Sequence, residues 1–173
     1  MGGDTTLRER GRARAPGALD LTSSTFGHGQ RIPTEHTLDG LNVSPDLTWD
    51  PGPPGTRSYA LICDDPDAPT PRPYTHWVIF DIPAGVHEIG EAVPKEGKPR
   101  ALRGGAQGTN DFGHFGYDGP APPPRHGTHH YHFQVYALDR ILDLNAGCRK
   151  DDVLRAMKGH VLAKGELIGT YHR

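Results

Sequence analysis

Clusters of glycine and proline interrupt this chain at short intervals and leave only short apolar runs between them. The 173 residues include 23 glycines and 17 prolines, nearly twice the usual combined share of about 12%. Pro51–Gly55 reads Pro-Gly-Pro-Pro-Gly, residues 64–73 contain four prolines, and Gly104–Arg125 is a long segment rich in both residues. Because proline cannot donate to a helix or a sheet ladder, we expect a loop-rich domain of short elements.

Two apolar runs and one alternating segment have the composition of β-strands. Ser58–Cys63 and His76–Ile82 are rich in aromatic and branched residues, and turn residues bound them. His129–Leu138 alternates in polarity, which places His129 and Tyr131 on one face with the apolar residues of the segment. The opposite face carries polar side chains and is expected to be more hydrated.

A single helix is expected near the C-terminal end of the chain. Apolar residues recur every four positions at Val153, Met157 and Val161, which predicts a helix over residues 151–164. Short strands, many turns and one late helix are typical of mostly β proteins. We therefore expect an antiparallel Greek-key β-sandwich with this helix in its C-terminal half and long glycine- and proline-rich loops.

The first 16 residues differ in composition from the rest. They contain four arginines and almost no apolar residues, which predicts a disordered basic leader before a folded domain over residues 17–173. We expect a cytoplasmic location without a membrane span, because the leader lacks the apolar region of a secretory signal and no apolar stretch approaches ~18 residues. The formal net charge of −2 argues against nucleic acid as a partner.

The sequence lacks the usual motifs of nucleotide binding and covalent catalysis. Its glycines match neither a P-loop nor a dinucleotide fingerprint, and its serines are not in a Gly-x-Ser-x-Gly setting. Cys63 and Cys148 form no CxxC motif. We therefore expect a protein that is not an enzyme and needs no cofactor.

Two carboxylates follow the first predicted strand in a segment stiffened by proline. Asp65 and Asp67 alternate with Pro66 and lie just before Pro69. Proline fixes φ and reduces loop entropy, so such a segment can hold carboxylates rigidly against a ligand or a histidine. A turn in which aspartate bonds to its own backbone is the alternative interpretation.

Two histidines and a tyrosine can join these carboxylates at one end of the sandwich. His76 begins its predicted strand, where alternation places it on the face of Val78 and Phe80. His129 and Tyr131 lie on the core-side face of their own strand, so the three side chains converge if the two strands are neighbours. Imidazole N–H and phenol O–H groups donate hydrogen bonds, which suits a small anion.

Several motifs resemble the signatures of the phosphatidylethanolamine-binding protein family. They match in order and in flanking residues: CDDPDAP at 63–69, HWVIF at 76–80, NDFG at 110–113, GYDGP at 116–120 and GTHHYHF at 127–133. The C-terminal residues 142–171 resemble the bacterial and archaeal, Raf kinase inhibitor-like branch. The resemblance covers residues 19–171.

The resemblance implies a small anion pocket at one end of a β-sandwich, which in relatives holds phosphate-like or carboxylate groups. Carried over by position, the ligand-binding residues are Asp65, His76, His129 and Tyr131, with Gly119 and Pro120 as a pocket wall and Asp67 as a support of the loop. The expected partner is phosphate, a phosphorylethanolamine-like headgroup or a carboxylate. We expect a non-catalytic binding protein, and a regulatory role is compatible with it.

Three features depart from the family pattern. His130 stands where the family motif usually has arginine, and because it points away from the pocket face we expect a changed structural ion pair rather than a changed pocket. Residues 122–127 (PPPRHG) form a longer loop, which leaves the rim at Arg125 and His126 undefined. Bacterial relatives suggest a homodimer. Animal members add a C-terminal helix over the site, so a more open pocket is expected here unless a second subunit covers it.

Two other functions remain open from the residues. A metal site or metal-dependent hydrolase could use His126, His129, His130 and His132 with Asp65. Strand alternation opposes this arrangement because His129 points away from His130 and His132. The other alternative is a protein-interaction regulator of a kinase or protease, in which the pocket recognises a phosphorylated or acidic segment of the partner.

Overall fold

The computed structural model describes residues 17–173, so the predicted leader at 1–16 lies outside the described residues. The strands are β1 (Leu21–Thr22), β2 (Leu47–Trp49), β3 (Ser58–Asp65), β4 (Tyr74–Pro83), β5 (Glu88–Ile89), β6 (Ala106–Gln107), β7 (His129–Leu138) and β8 (Val161–Tyr171). The helix α1 spans Lys150–Met157, and short 3₁₀ helices span Thr34–His36 and Arg100–Leu102. Between residues 17 and 173, no helix is long and apolar enough to cross a membrane.

Strand β3 is the centre of a five-stranded antiparallel sheet with the order β6-β4-β3-β7-β8. All of its residues are buried, as expected for a strand that is covered on both faces. Within this strand, Ile62 lies opposite Val78 of β4 on one side and Gln134 of β7 on the other. A smaller antiparallel sheet has the order β1-β2-β5.

The large sheet buries apolar side chains on both faces. One face carries Phe133 and forms a core with the small sheet, which contributes Leu47. The other face carries Val78 and packs against α1, which contributes Val153 and Met157. Full burial of a side chain of this size contributes about 1.5–3 kcal/mol relative to exposure. The small sheet, the large sheet and α1 therefore form three layers around two cores.

The predicted strands are present, and the mostly β class with two antiparallel sheets and one helix is confirmed. Strand β7 has the predicted bounds, His129–Leu138. The strand predicted over Ser58–Cys63 extends to Asp65, and the strand predicted over His76–Ile82 spans Tyr74–Pro83. The Greek-key connection stays a prediction.

The helix is shorter than its apolar spacing indicated. Val153 and Met157 are buried as predicted, but α1 ends at Met157 and Val161 is 43% exposed. Gly159 adopts a φ of +82°, a conformation that ends a helical path at little cost for glycine. The prediction that residues 158–164 are helical is therefore wrong, because β8 begins at Val161 and satisfies the hydrogen bonds of the β7 edge.

Gly108 provides a test of how tightly the loop after β6 packs. A Cβ atom at this position would lie 2.3 Å from the carbonyl oxygen of Cys148 and 3.1 Å from the side chain of Val78. We expect Gly108→Ala to lower the free energy of unfolding by about 1–3 kcal/mol, because the backbones of Gly108 and Cys148 would have to move apart to make room for the methyl group. Urea unfolding measures the effect. The matched control is Gly85→Ala, where an added Cβ would meet nothing within 4 Å, and equal stability of the two variants would contradict the prediction.

Candidate ligand-binding site

A pocket of about 240 Å³ opens at the end of the large sheet, where β3 ends and β4 and β7 begin. Asp65 from β3, His76 from β4, and His129 and Tyr131 from β7 line it. The other lining residues are Ala68, Pro69, Thr70, Tyr74, Phe112, Ala121, Pro122 and Pro123. The structure thus brings together the four side chains expected to contact a ligand.

A β-bulge in β4 turns His76 into the pocket. Along β3, Cys63 pairs with Trp77 and the next residue, Asp64, pairs with Thr75. His76 is therefore the extra residue on β4, opposite no partner of its own. A bulge of this kind bends the strand and gives the inserted side chain a new direction.

This bulge corrects the expectation that His76 shares a face with Val78 and Phe80. Those two apolar side chains lie on the α1 side of the sheet. The ring of His76 instead packs edge-on against Tyr131 on the pocket side, with 5.2 Å between ring centroids. Side chains alternate regularly between the two faces of a sheet only where strand pairing is continuous. An inserted residue interrupts this alternation, so that residues before the bulge face the side opposite to the one expected.

Three polar groups form a hydrogen-bonded chain along one wall of the pocket. The Nδ1–H of His129 donates to Oδ2 of Asp65 at 2.6 Å, and both side chains are buried. The other carboxylate oxygen of Asp65 accepts the backbone N–H of Asp67 at 2.8 Å. On the outer side, Nε2 of His129 lies 2.7 Å from Nδ1 of His126. His129 is therefore oriented from both ends, by Asp65 at Nδ1 and by His126 at Nε2.

His76 is held by the backbone of the loop that precedes the proline-rich wall. Its Nδ1–H donates to the carbonyl oxygen of Asp118 at 2.7 Å, which leaves Nε2 as the nitrogen that can meet a ligand. Burial lowers the pKa of His76 from its usual value. Near neutral pH its Nε2 therefore accepts hydrogen bonds, and it becomes a donor only after protonation at more acidic pH.

The Asp118 carboxylate anchors this loop. It accepts hydrogen bonds from Asn42 at 2.8 Å, from Asn110 at 2.9 Å and from His114 at 2.8 Å. Burial raises the pKa of Asp118, but these hydrogen bonds outweigh it, so the net shift is downward. The charged carboxylate therefore stabilises the loop conformation that presents its carbonyl oxygen to His76.

Tyr131 supplies a neutral donor. Its ring is buried, and burial together with the nearby Asp65 carboxylate raises the pKa of its phenol strongly. The hydroxyl consequently stays protonated at physiological pH. It can donate a hydrogen bond to an anion without a change of protonation.

Gly119 and Pro120 lie behind the pocket wall, which Ala121, Pro122 and Pro123 form instead. The backbone N–H of Gly119 donates to Asn42 Oδ1 at 2.7 Å, and the carbonyl oxygen of Pro120 accepts the N–H of Leu38 at 3.0 Å. A Cβ atom at Gly119 would lie 2.0 Å from the carbonyl oxygen of His36. Glycine is thus needed there for a close backbone approach.

Asp67 also lies outside the pocket lining. Its carboxylate accepts hydrogen bonds from the backbone N–H and from Nδ1 of His130, each at 2.8 Å. Burial raises the pKa of Asp67, but the bonds from His130 shift it downward overall. The Asp67–His130 pair therefore links the loop after β3 to β7 on the face away from the pocket. This agrees with the expectation that His130, which replaces the arginine of the family motif, changes a structural ion pair and not the pocket.

The histidines considered as metal ligands lie on different faces of the sheet. His132 points outward and pairs with Glu166 at 2.9 Å, and His130 is occupied by Asp67. His126 and His129 lie on the pocket side, in direct contact with each other. The structure therefore does not assemble the four histidines into one cluster. The sequence suggested His126 only as a metal ligand, and its hydrogen bond to His129 was missed because only the folded loop shows which way its ring points.

The β-sandwich and the sequence together place this chain in a known family of binding proteins. The family model for phosphatidylethanolamine-binding protein matches residues 22–172. The chain therefore belongs to the phosphatidylethanolamine-binding protein family. It is 50% identical over 155 residues to the UPF0098 protein of Methanothermobacter thermautotrophicus, an alignment that covers 90% of this chain and 99% of that protein.

Solved structures of bacterial relatives share the fold. A putative phosphatidylethanolamine-binding protein homologue of Chlamydia trachomatis superimposes with a TM-score of 0.80 and 34% identity, covering 91% of this chain and 99% of that one. YbcL of Escherichia coli, described as a member of the mammalian family, also gives a TM-score of 0.80, with 32% identity and coverage of 90% and 98%. The expected relationship to bacterial and archaeal members is confirmed.

Burial of His76 predicts a loss of stability at acidic pH. Because burial lowers the pKa of His76 below the usual value of about 6.5, the unfolded chain binds this proton first as the pH falls. The free energy of unfolding is therefore greatest above about pH 6.5, where His76 is neutral, and it falls as the pH decreases below this value. We expect His76→Gln to flatten the fall in the free energy of unfolding between about pH 7 and pH 5, as measured by urea unfolding.

The control for this measurement is His172→Gln, which replaces an exposed histidine near the end of the chain. It should keep the wild-type pH dependence. A wild-type slope in His76→Gln, whatever its absolute stability, would show that the buried imidazole does not cause the acid sensitivity.

Proposed function

We propose that this member of the family is a non-catalytic binding protein whose pocket holds a small anionic group, such as the phosphate of a monoester headgroup. The observation that carries the proposal is the meeting of His76, His129 and Tyr131 around one cavity from neighbouring strands. Phenol and protonated imidazole groups donate hydrogen bonds to an anion. A cavity of about 240 Å³ suits a phosphate or carboxylate group better than a drug-sized ligand, which needs roughly 300–1,000 Å³.

The buried carboxylate of Asp65 supports anion binding indirectly. Because Asp65 accepts the Nδ1–H of His129, it fixes this ring and compensates the positive charge when the ring takes up a proton. An anion then meets the donor at Nε2 rather than the carboxylate. A ligand that also carries an ammonium group could place it near Asp65, and the name of the family supports phosphorylethanolamine as a probe.

Anion binding requires a change at His126. Its Nδ1 occupies the hydrogen-bonding position at Nε2 of His129 in this structure. An anion that reaches His129 must take the place of this contact. His126 lies on an exposed loop, so its ring can move away without disturbing the sheet.

The proposal predicts anion binding that strengthens at acidic pH. Isothermal titration of the metal-free protein should show saturable binding of phosphate and phosphorylethanolamine. The affinity for sulfate should be about tenfold greater near pH 5.5 than near pH 8, because a protonated imidazole adds a charge-assisted hydrogen bond worth about 1.5–3 kcal/mol. Sulfate is titrated in parallel because its own charge is constant over this range, so that a change in its affinity reports protons taken up by the protein.

Two variants on the same strand separate the pocket from the rest of the surface. His129→Gln should lose at least about tenfold in affinity for each anion. His132→Gln removes a histidine from the outward face of β7 and should bind as the wild type does. The proposal fails if no anion binds at either pH, or if the two variants lose affinity equally.

A further inference from the structure

A second group of ligating side chains lies outside the pocket, between a 3₁₀ helix and the segment after β5. It consists of Glu35 and His36, from the 3₁₀ helix Thr34–His36, and Glu91. Each residue offers one ligand atom, and these atoms all lie within 4.8 Å of one another. The 3₁₀ helix and the segment after β5, which are far apart in the sequence, therefore present one nitrogen and two oxygens to the same small region.

The histidine of this group is prepared as a ligand by its surroundings. His36 is fully buried, and its Nδ1–H donates to the carbonyl oxygen of Val43 at 3.0 Å. This bond selects the tautomer in which Nε2 carries a lone pair. A backbone acceptor on the far nitrogen is the usual support of a metal-bound histidine, because it fixes the ring and increases its basicity. The Nε2 atom lies 3.8 Å from a carboxylate oxygen of Glu91.

A hydroxyl group occupies the lone pair of His36 but has another partner within reach. Oγ1 of Thr25 lies 3.0 Å from Nε2 of His36 and 3.2 Å from Oγ of Ser23. Because Oγ1 itself lies where an ion at Nε2 would sit, the Thr25 side chain must turn away when a cation binds. The cation would then replace this hydroxyl as the partner of Nε2.

The charges around the site favour a cation. Glu35 and Glu91 are exposed, and their carboxyl groups lie within 4.8 Å of each other and of the His36 imidazole. Two carboxylates at this separation repel each other, and a divalent ion between them would remove this repulsion.

We propose that Glu35, His36 and Glu91 bind a divalent transition-metal ion of the Zn²⁺ type, with water in the remaining coordination positions. An imidazole nitrogen with two carboxylates suits Zn²⁺, Co²⁺ or Mn²⁺, whereas Ca²⁺ and Mg²⁺ prefer oxygen ligands throughout. The ion would join the 3₁₀ helix to the segment after β5. It would thereby stabilise the chain around His36, whose carbonyl oxygen accepts a hydrogen bond from Tyr117 at 2.6 Å behind the ligand pocket.

The test is titration of the metal-free full chain with Co²⁺, followed by its visible absorption, and with Zn²⁺, followed by thermal unfolding. We expect one Co²⁺ per chain, displaced by Zn²⁺, and a Zn²⁺-dependent rise in the melting temperature that Mg²⁺ does not reproduce. Glu91→Gln and Glu35→Gln should each weaken Co²⁺ binding by at least about tenfold. Without metal, both variants should be at least as stable as the wild type, since each removes one of two neighbouring carboxylate charges.

Controls distinguish this site from other residues of the chain. Glu88→Gln changes an exposed glutamate of β5 and should leave Co²⁺ binding unchanged. His130→Gln and His132→Gln should also have no effect, because these imidazoles lie on the outward face of β7. The proposal is overturned if no ion binds, or if binding survives in Glu35→Gln and Glu91→Gln and is lost in the His130 or His132 variants.

Discussion

Burial of strand β3 on both faces is the constraint on which the rest of the structure depends. Because the whole strand is buried, its two terminal aspartates need polar partners on opposite sides of the sheet. Asp64 faces α1 and accepts a hydrogen bond from Lys150 at 2.8 Å, whereas Asp65 faces the pocket and accepts one from His129 at 2.6 Å. Removal of one partner from a buried ion pair such as Asp64–Lys150 typically costs about 3–5 kcal/mol. The strand that stabilises the sheet thus also determines where the pocket lies.

The pocket also depends on an interruption of this regular sheet. Strict pairing along β4 would direct His76 toward α1, and the bulge directs it toward Tyr131 instead. The loop that follows β6 then has to reach His76, because its buried Nδ1–H needs an acceptor, which the carbonyl oxygen of Asp118 supplies. Asn42 holds the same loop from behind through Asp118 and Gly119. The chain around residues 36–42 therefore supports the pocket wall, and a cation at His36 would act on that support without touching the ligand.

Much of the site could be predicted from sequence because its residues fall in short motifs with a fixed order. The family resemblance placed Asp65, His76, His129 and Tyr131 at one pocket, and the structure brings them together. It could not place the wall correctly, because the path of a proline-rich loop depends on long-range packing. The contact of His126 with His129 was hidden for the same reason.

The sequence by itself determined the β class, the bounds of β7 and the family, since alternation and proline-rich turns are local properties of the chain. Tertiary structure decided three other matters. The free edge of β7 made residues 161–164 a strand although their spacing suits a helix, and the offset pairing of β3 with β4 set the direction of His76. Packing of distant loops brought His36 and Glu91 together. Each of these outcomes depends on hydrogen bonds or burial between segments far apart in sequence, which no local pattern records.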